Sequence, residues 1–149
     1  MHKVQHHPAL AYAEIGQFMA DLREQGSTSA LALEFLILSA TRTAEVLGAT
    51  WNEIELDAAI WTIPAERMKA KKEHRVPLSR PALAILKRLH KHRAGEFVFM
   101  GAKPGKPLSN MALLMLLERM GRSDLTVHSF RSTFRDWGSG YKALSHFLT

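Results

Sequence analysis

Residues 30–40 constrain the fold more than any other stretch. Leu31, Leu33, Phe35, Leu36, Ile37 and Leu38 follow one another with only Ala32 and Glu34 between them. At helical spacing they cover most sides of the cylinder, and a helix apolar on most sides is stable only when other elements surround it. Ser27, Thr28 and Ser29 offer caps just ahead of it. The pattern predicts a central helix from Ala30 to about Ala40, with the rest of the chain packed round it. At 149 residues the chain is long enough to do so as one domain.

The neighbours follow from ordinary start and stop signals. Pro8, at a first helical position, opens a helix to about Gln25 with Gly26 as its stop, and Ile15, Phe18, Met19 and Leu22 form its buried stripe. Thr41-Arg42-Thr43 interrupts the apolar run, and a short helix from Ala44 to Gly48 follows, capped by Thr43. Ile54-Glu55-Leu56 and Ile60–Ile63 read as strands joined through Asp57-Ala58-Ala59. His74–Leu78 reads as a third, whose Pro77 puts it at an edge or a strand end. Ser79 and Pro81 start a helix with Leu83, Leu86 and Leu89 inside. Phe97-Val98-Phe99 is a short buried segment leading into a turn-rich loop, and Ser109 or Asn110 opens a helix through Met120, stopped by Gly121. Trp51, Trp61 and Phe99 belong to the core. The expected fold is mainly α with a small antiparallel three-stranded sheet.

Basic residues stand out against this frame. Lys and Arg outnumber Asp and Glu by 20 to 14, a formal charge of +6, and the pI is near 9.9. Such a surplus favours a polyanion, with nucleic acid ahead of an anionic membrane. Without cysteine, disulfides, thiol catalysis and Cys-based zinc sites are excluded. His6-His7 and His90-x-His92 lack a supporting third ligand and read as surface residues, so no metal is expected. No apolar run approaches the roughly 20 residues of a membrane span, and the N-terminus has no signal-peptide core, so a cytoplasmic protein is expected.

The last helix, 126–137, is the richest in chemistry. At roughly 100° per residue, His128, Arg131 and Arg135 fall within about 60° of one another, opposite Phe130, Phe134 and Trp137. Two guanidinium forks beside an imidazole suit a phosphate. Arg42 lies between two helices, and Arg67-Met68-Lys69-Ala70-Lys71-Lys72 forms a basic tract before the third strand. Each type also has an ordinary structural use: an arginine at a helix junction caps carbonyls, and a lysine tract solvates a hairpin tip.

Taken together, these motifs resemble the catalytic domain of tyrosine recombinases, specifically the phage-type integrases of prophages and genomic islands. Arg42-Thr43-Ala44-Glu45 with Leu47 and Trp51 is similar to that family's first-arginine motif. Lys69, seven residues before Val76-Pro77-Leu78, stands where its β-hairpin lysine stands, and His128-Ser129-Phe130-Arg131 resembles its His-x-x-Arg box. Thr133, Phe134 and Trp137 fit as well, so the resemblance spans about residues 8–137. It implies that Arg42 and Arg131 hold the non-bridging oxygens of one DNA phosphate and stabilise the charge built up there. Lys69, on a mobile hairpin, would protonate the leaving 5′ oxygen, and His128 would serve as acid/base or phosphate donor. Lys71, Lys72 and Arg135 would add phosphate contacts. Glu45 is assigned to orienting an arginine or to capping. No cofactor is implied.

The resemblance also implies a nucleophilic tyrosine some thirty residues past the His-x-x-Arg box, preceded by a second histidine motif. Here His146 comes early, no tyrosine follows it, and Tyr141 is the one late tyrosine. Residues 1–137 therefore read as a single integrase catalytic-like domain and 138–149 as a truncated or altered tail, with strand cleavage impaired. The expected partner is double-stranded DNA of the attachment-site type, bound weakly and with steep salt dependence, and not a membrane. Without DNA the chain should be a monomer or a weak dimer. A non-catalytic basic DNA-binding or regulatory module is the alternative, and a metal-dependent nuclease lacks an acidic cluster in the sequence.

Overall fold

A computed structural model describes residues 14–127. The start of the first helix at Pro8, all but the first two residues of the expected helix 126–137 and the tail 138–149 lie outside the described residues. Among the described residues five α-helices and three strands follow in order: α1 (Ile15–Arg23), α2 (Thr28–Ser39), α3 (Thr43–Leu47), β1 (Ile54–Glu55), β2 (Ile60–Ile63), β3 (His74–Pro77), α4 (Arg80–Lys91) and α5 (Asn110–Arg119). None of these helices is long and apolar enough to cross a membrane.

α2 is the hub that its composition demands. It packs against α1, α3, α4 and α5, and Ala30, Ala32, Leu33, Phe35, Leu36 and Ile37 are all buried. Phe35 is fully enclosed, its ring 5.2 Å from that of Trp61 on β2 and 5.5 Å from that of Phe99. Burial of one such side chain is worth about 2–3 kcal/mol, so this contact ties the sheet to the helices. Ser27 accepts from the Ala30 N–H at 3.1 Å and starts the helix. Glu34, buried on the same helix, accepts from Arg23 Nε at 2.7 Å, which offsets the desolvation of its carboxylate.

α1 buries Ile15, Phe18, Met19 and Leu22, as its periodicity predicts. The expected stops Gly26 (φ 68°) and Gly121 (φ 73°) both adopt the left-handed conformation that ends a helix cheaply only at glycine. α2 ends at Ala40, which takes the same conformation (φ 55°) with a Cβ in place. Beyond it Thr41 is buried, its hydroxyl 2.8 Å from that of Ser39, and the chain turns sharply into α3.

The sheet is an antiparallel meander in the order β1-β2-β3, with Trp61 opposite Val76 and Ile60 opposite Pro77. Alternation along β2 buries Trp61 and Ile63 against the helices. Pro77 ends the edge strand, where its missing N–H interrupts no interior ladder.

The structure corrects several expectations. β1 stops at Glu55, and Leu56 belongs to a four-residue turn closed by Ala59 at φ 57°. Leu78 lies past the end of β3, although its N–H still reaches the Ala59 carbonyl at 2.8 Å. α4 buries Ala82, Ile85 and Leu86, so its inner face is rotated from the expected one and Leu83 is only half-buried. Trp51 and Phe97 are also half-buried. Trp61, Phe99 and Val98 are core, as expected.

Candidate nucleic-acid interface

Arg42 sits at the N-cap of α3, one residue ahead of the expected cap Thr43. Glu45 explains the difference: its carboxylate accepts from the Arg42 backbone N–H at 3.0 Å. A cap of this kind needs an acid three residues past the cap residue, and only position 42 places Glu45 there. Glu45 is thus a capping residue. The Arg42 side chain is exposed, and among the described residues its guanidinium has no ion-pair partner. Among the described residues it is an unpaired cation on a capped backbone.

Arg67 is the contrasting case. Its Nε donates to Glu53 Oε2 at 2.9 Å and its Nη2 to Glu53 Oε1 at 2.8 Å, a two-pronged fork on one carboxylate. Nη2 also reaches the Glu45 carbonyl at 3.1 Å, and Nη1 lies 3.5 Å from the Ala44 carbonyl. Glu53 Oε1 in turn accepts from the Trp61 indole at 3.1 Å. The arginine that caps helix carbonyls is therefore Arg67, not Arg42. Gly48, at the end of α3, leaves room for it: a Cβ there would collide with Arg67 Nη1.

Lys69, Lys71 and Lys72 lie on the turn between this clamp and β3, all exposed and without ion pairs among the described residues. The Lys71 N–H bonds the Met68 carbonyl at 3.0 Å and Lys71 itself takes φ 60°, closing the turn. Arg42 and the lysine turn thus flank one cluster, formed by α3, Glu53 and Arg67. His128, Arg131, Arg135, Tyr141 and His146 lie outside the described residues.

Two other expected or unnoticed groups have structural work. His90 meets the edge of Trp51 at 5.0 Å between ring centroids. Arg122 donates to Asp124 at 3.1 and 3.2 Å, and this hydrogen bond holds the Asp124 carboxyl below its usual range. Glu53 escaped sequence reasoning altogether, and Gly48 was legible only as the end of α3. The partners in the Arg67–Glu53 pair are far apart along the chain, and no periodicity links them.

Residues 9–137 match the model of the phage integrase family. The prophage integrase IntZ of Escherichia coli (strain K12) is 42% identical over 132 residues, which are 87% of this chain and 33% of that protein. The chain thus spans about a third of the length of the curated relatives it matches. Among solved structures, the Tn1549 transposon integrase in complex with a circular intermediate DNA superposes with a TM-score of 0.72 at 15% identity, over 89% of this chain and 53% of that one. A lambda integrase tetramer bound to a Holliday junction gives 0.65 at 18% identity, over 89% of this chain and 43% of that one. Both likenesses extend over 89% of this chain, so the fold is that of the tyrosine-recombinase catalytic domain. An exposed arginine of the Arg-x-x-Glu motif, a lysine turn ahead of an edge strand and a family match over most of the chain lead to one conclusion: the chain belongs to the phage integrase family.

Proposed function

We propose that this chain binds duplex DNA as the phosphate-holding part of a site-specific tyrosine recombinase. The observation that carries the reading is the exposed Arg42 guanidinium, without an ion pair among the described residues, on a helix N-terminus that Glu45 and Arg67 fix in place. Arg42 grips a non-bridging oxygen of the DNA, with Lys69, Lys71 and Lys72 beside it and Arg131, Arg135 and His128 supplied from the segment 128–137. During strand cleavage a tyrosine hydroxyl, passing its proton to His128 as base, forms the new bond to phosphorus as the P–O5′ bond breaks. The two arginines stabilise the charge on the non-bridging oxygens and Lys69 hands a proton to the departing 5′ oxygen. Tyr141 is the candidate nucleophile, with His146 as an added donor, and both are tested by trapping on a nicked duplex. A covalent adduct that disappears in Tyr141→Phe assigns the role to Tyr141, and an adduct that survives the change removes it.

Support comes from the net charge of +6 and from relatives whose solved structures hold DNA. In this reading residues 1–137 are one domain, the DNA is of the attachment-site type and the protein works in the cytoplasm. The DNA-free chain is a monomer or weak dimer, which sedimentation checks. α5 leaves Met111, Leu114 and Met115 exposed.

The direct test is salt dependence. Duplex affinity measured between about 50 and 200 mM salt should fall steeply, and Arg42→Ala should lower the log–log slope by about 0.9, one phosphate contact. An unchanged slope and affinity in Arg42→Ala would sink the proposal.

A further inference from the structure

We infer that Arg67 is a positioning residue for this site: it holds the Lys69 turn against the helix that begins at Arg42, so that both cations meet one DNA phosphate. The inference rests on the phosphate-binding reading above and adds a part to it.

One guanidinium ties two segments of the chain to its own. Its fork on Glu53 anchors it to the turn that leads into β1, and its bonds to the Ala44 and Glu45 carbonyls fasten it to α3. Lys69 follows it by two residues. Glu45, whose carbonyl Arg67 holds, is the residue whose carboxylate holds the Arg42 N–H. A short bonded path therefore runs from the Arg42 backbone through Glu45 and Arg67 to the backbone of Lys69.

The alternative role for Arg67 is direct attraction of DNA, and the geometry opposes it. Its charge is neutralised by Glu53 at 2.8 Å, and its side chain is only 24% exposed. Lys69, Lys71, Lys72 and Arg75 are all exposed, and none is in an ion pair among the described residues. An arginine with its donors committed inside the protein affects DNA through the residues it places. Gly48 fits the same purpose, since any side chain there would displace Nη1. Arg67→Lys keeps the charge but loses the fork.

The experiment is a double-mutant cycle on the full chain, with the affinity and salt slope for a fluorescein-labelled duplex read by anisotropy. Lys69→Ala is made in the parent and in Arg67→Lys, whose net charge is unchanged. In the parent, Lys69→Ala should weaken binding about fivefold and lower the slope by about 0.9. In Arg67→Lys the same change should cost less than about 1.5-fold and move the slope by less than about 0.3, because the lysine no longer faces the phosphate. A merely stabilising Arg67 would leave the effect of Lys69→Ala equal in both backgrounds, and that result overturns the inference alone. No effect of Lys69→Ala in the parent overturns it together with the phosphate-binding reading. Thermal melting checks that each variant is folded at the assay temperature. If Arg67→Lys is not, Gly48→Ala replaces it, since its methyl displaces Arg67 Nη1 and alters no charge.

Discussion

Glu53→Ala should be among the most damaging single changes outside the apolar core. The side chain is 9% exposed and accepts three hydrogen bonds, at 2.9 and 2.8 Å from Arg67 and 3.1 Å from the Trp61 indole. Truncation leaves a guanidinium that is three-quarters enclosed without its counter-charge, and a buried indole N–H without an acceptor. Removing one partner of a buried pair costs about 3–5 kcal/mol. Partial exposure of Arg67 and its two remaining carbonyl contacts lower this share to about 2–3 kcal/mol, and the orphaned indole adds about 1 kcal/mol. The total is about 3–4 kcal/mol, or a melting temperature lower by about 10 °C. Urea unfolding followed by tryptophan fluorescence should show the midpoint falling by about 1–2 M with an unchanged slope. Glu53→Leu combined with Arg67→Met removes both charges at once and should recover most of the loss, leaving about 1 kcal/mol for the indole. A Glu53→Ala protein within about 0.5 kcal/mol of the parent would refute the reasoning, since surface substitutions alone reach that level.

Ala40→Gly should raise stability by about 0.5–1 kcal/mol in the same urea assay, because φ 55° strains any residue with a Cβ; a lower midpoint would contradict this. Asp124 is held below its ordinary 3.8 by the Arg122 hydrogen bond, so its contribution is present at neutral pH and vanishes as pH falls through the lowered value. Asp124→Asn should therefore melt slightly below the parent at about pH 7 and close on it in acid below that lowered value, with the difference at neutral pH shrinking in salt. An equal difference at both pH values would remove the ion pair as its cause.

Much of the fold is legible because few arrangements satisfy the pattern. Exposing any side of α2 would put Leu33, Phe35 or Ile37 in water, so its central place follows from composition alone. α4 is less determined. Ala82, Leu83, Ala84, Ile85 and Leu86 are all apolar, two adjacent stripes would serve, and the choice of Ile85 over Leu83 is made by tertiary packing. The cap of α3 was readable in hindsight, since Glu45 stands three residues past Arg42 and Val46 three past Thr43. Trp51 shows the limit of residue type as a guide: a large indole near the core still stays half-buried beside His90. For the site, the identity of Arg42 and Lys69 as exposed cations could be anticipated from motif spacing. The task given to Arg67 could not. It stands in a tract of similar cations, and only three-dimensional proximity to Glu53 separates the one committed inside the protein from those left free.

The central claim is that cations from remote parts of the chain meet at a single phosphate. A crystal structure of this chain on duplex DNA tests it most directly. The account predicts the Arg42 and Arg131 guanidinium groups on the non-bridging oxygens of one phosphate, with the Lys69 ammonium beside its 5′ oxygen. Arg42 facing away from the duplex, or Arg42 and Arg131 on phosphates of separate turns, would contradict it.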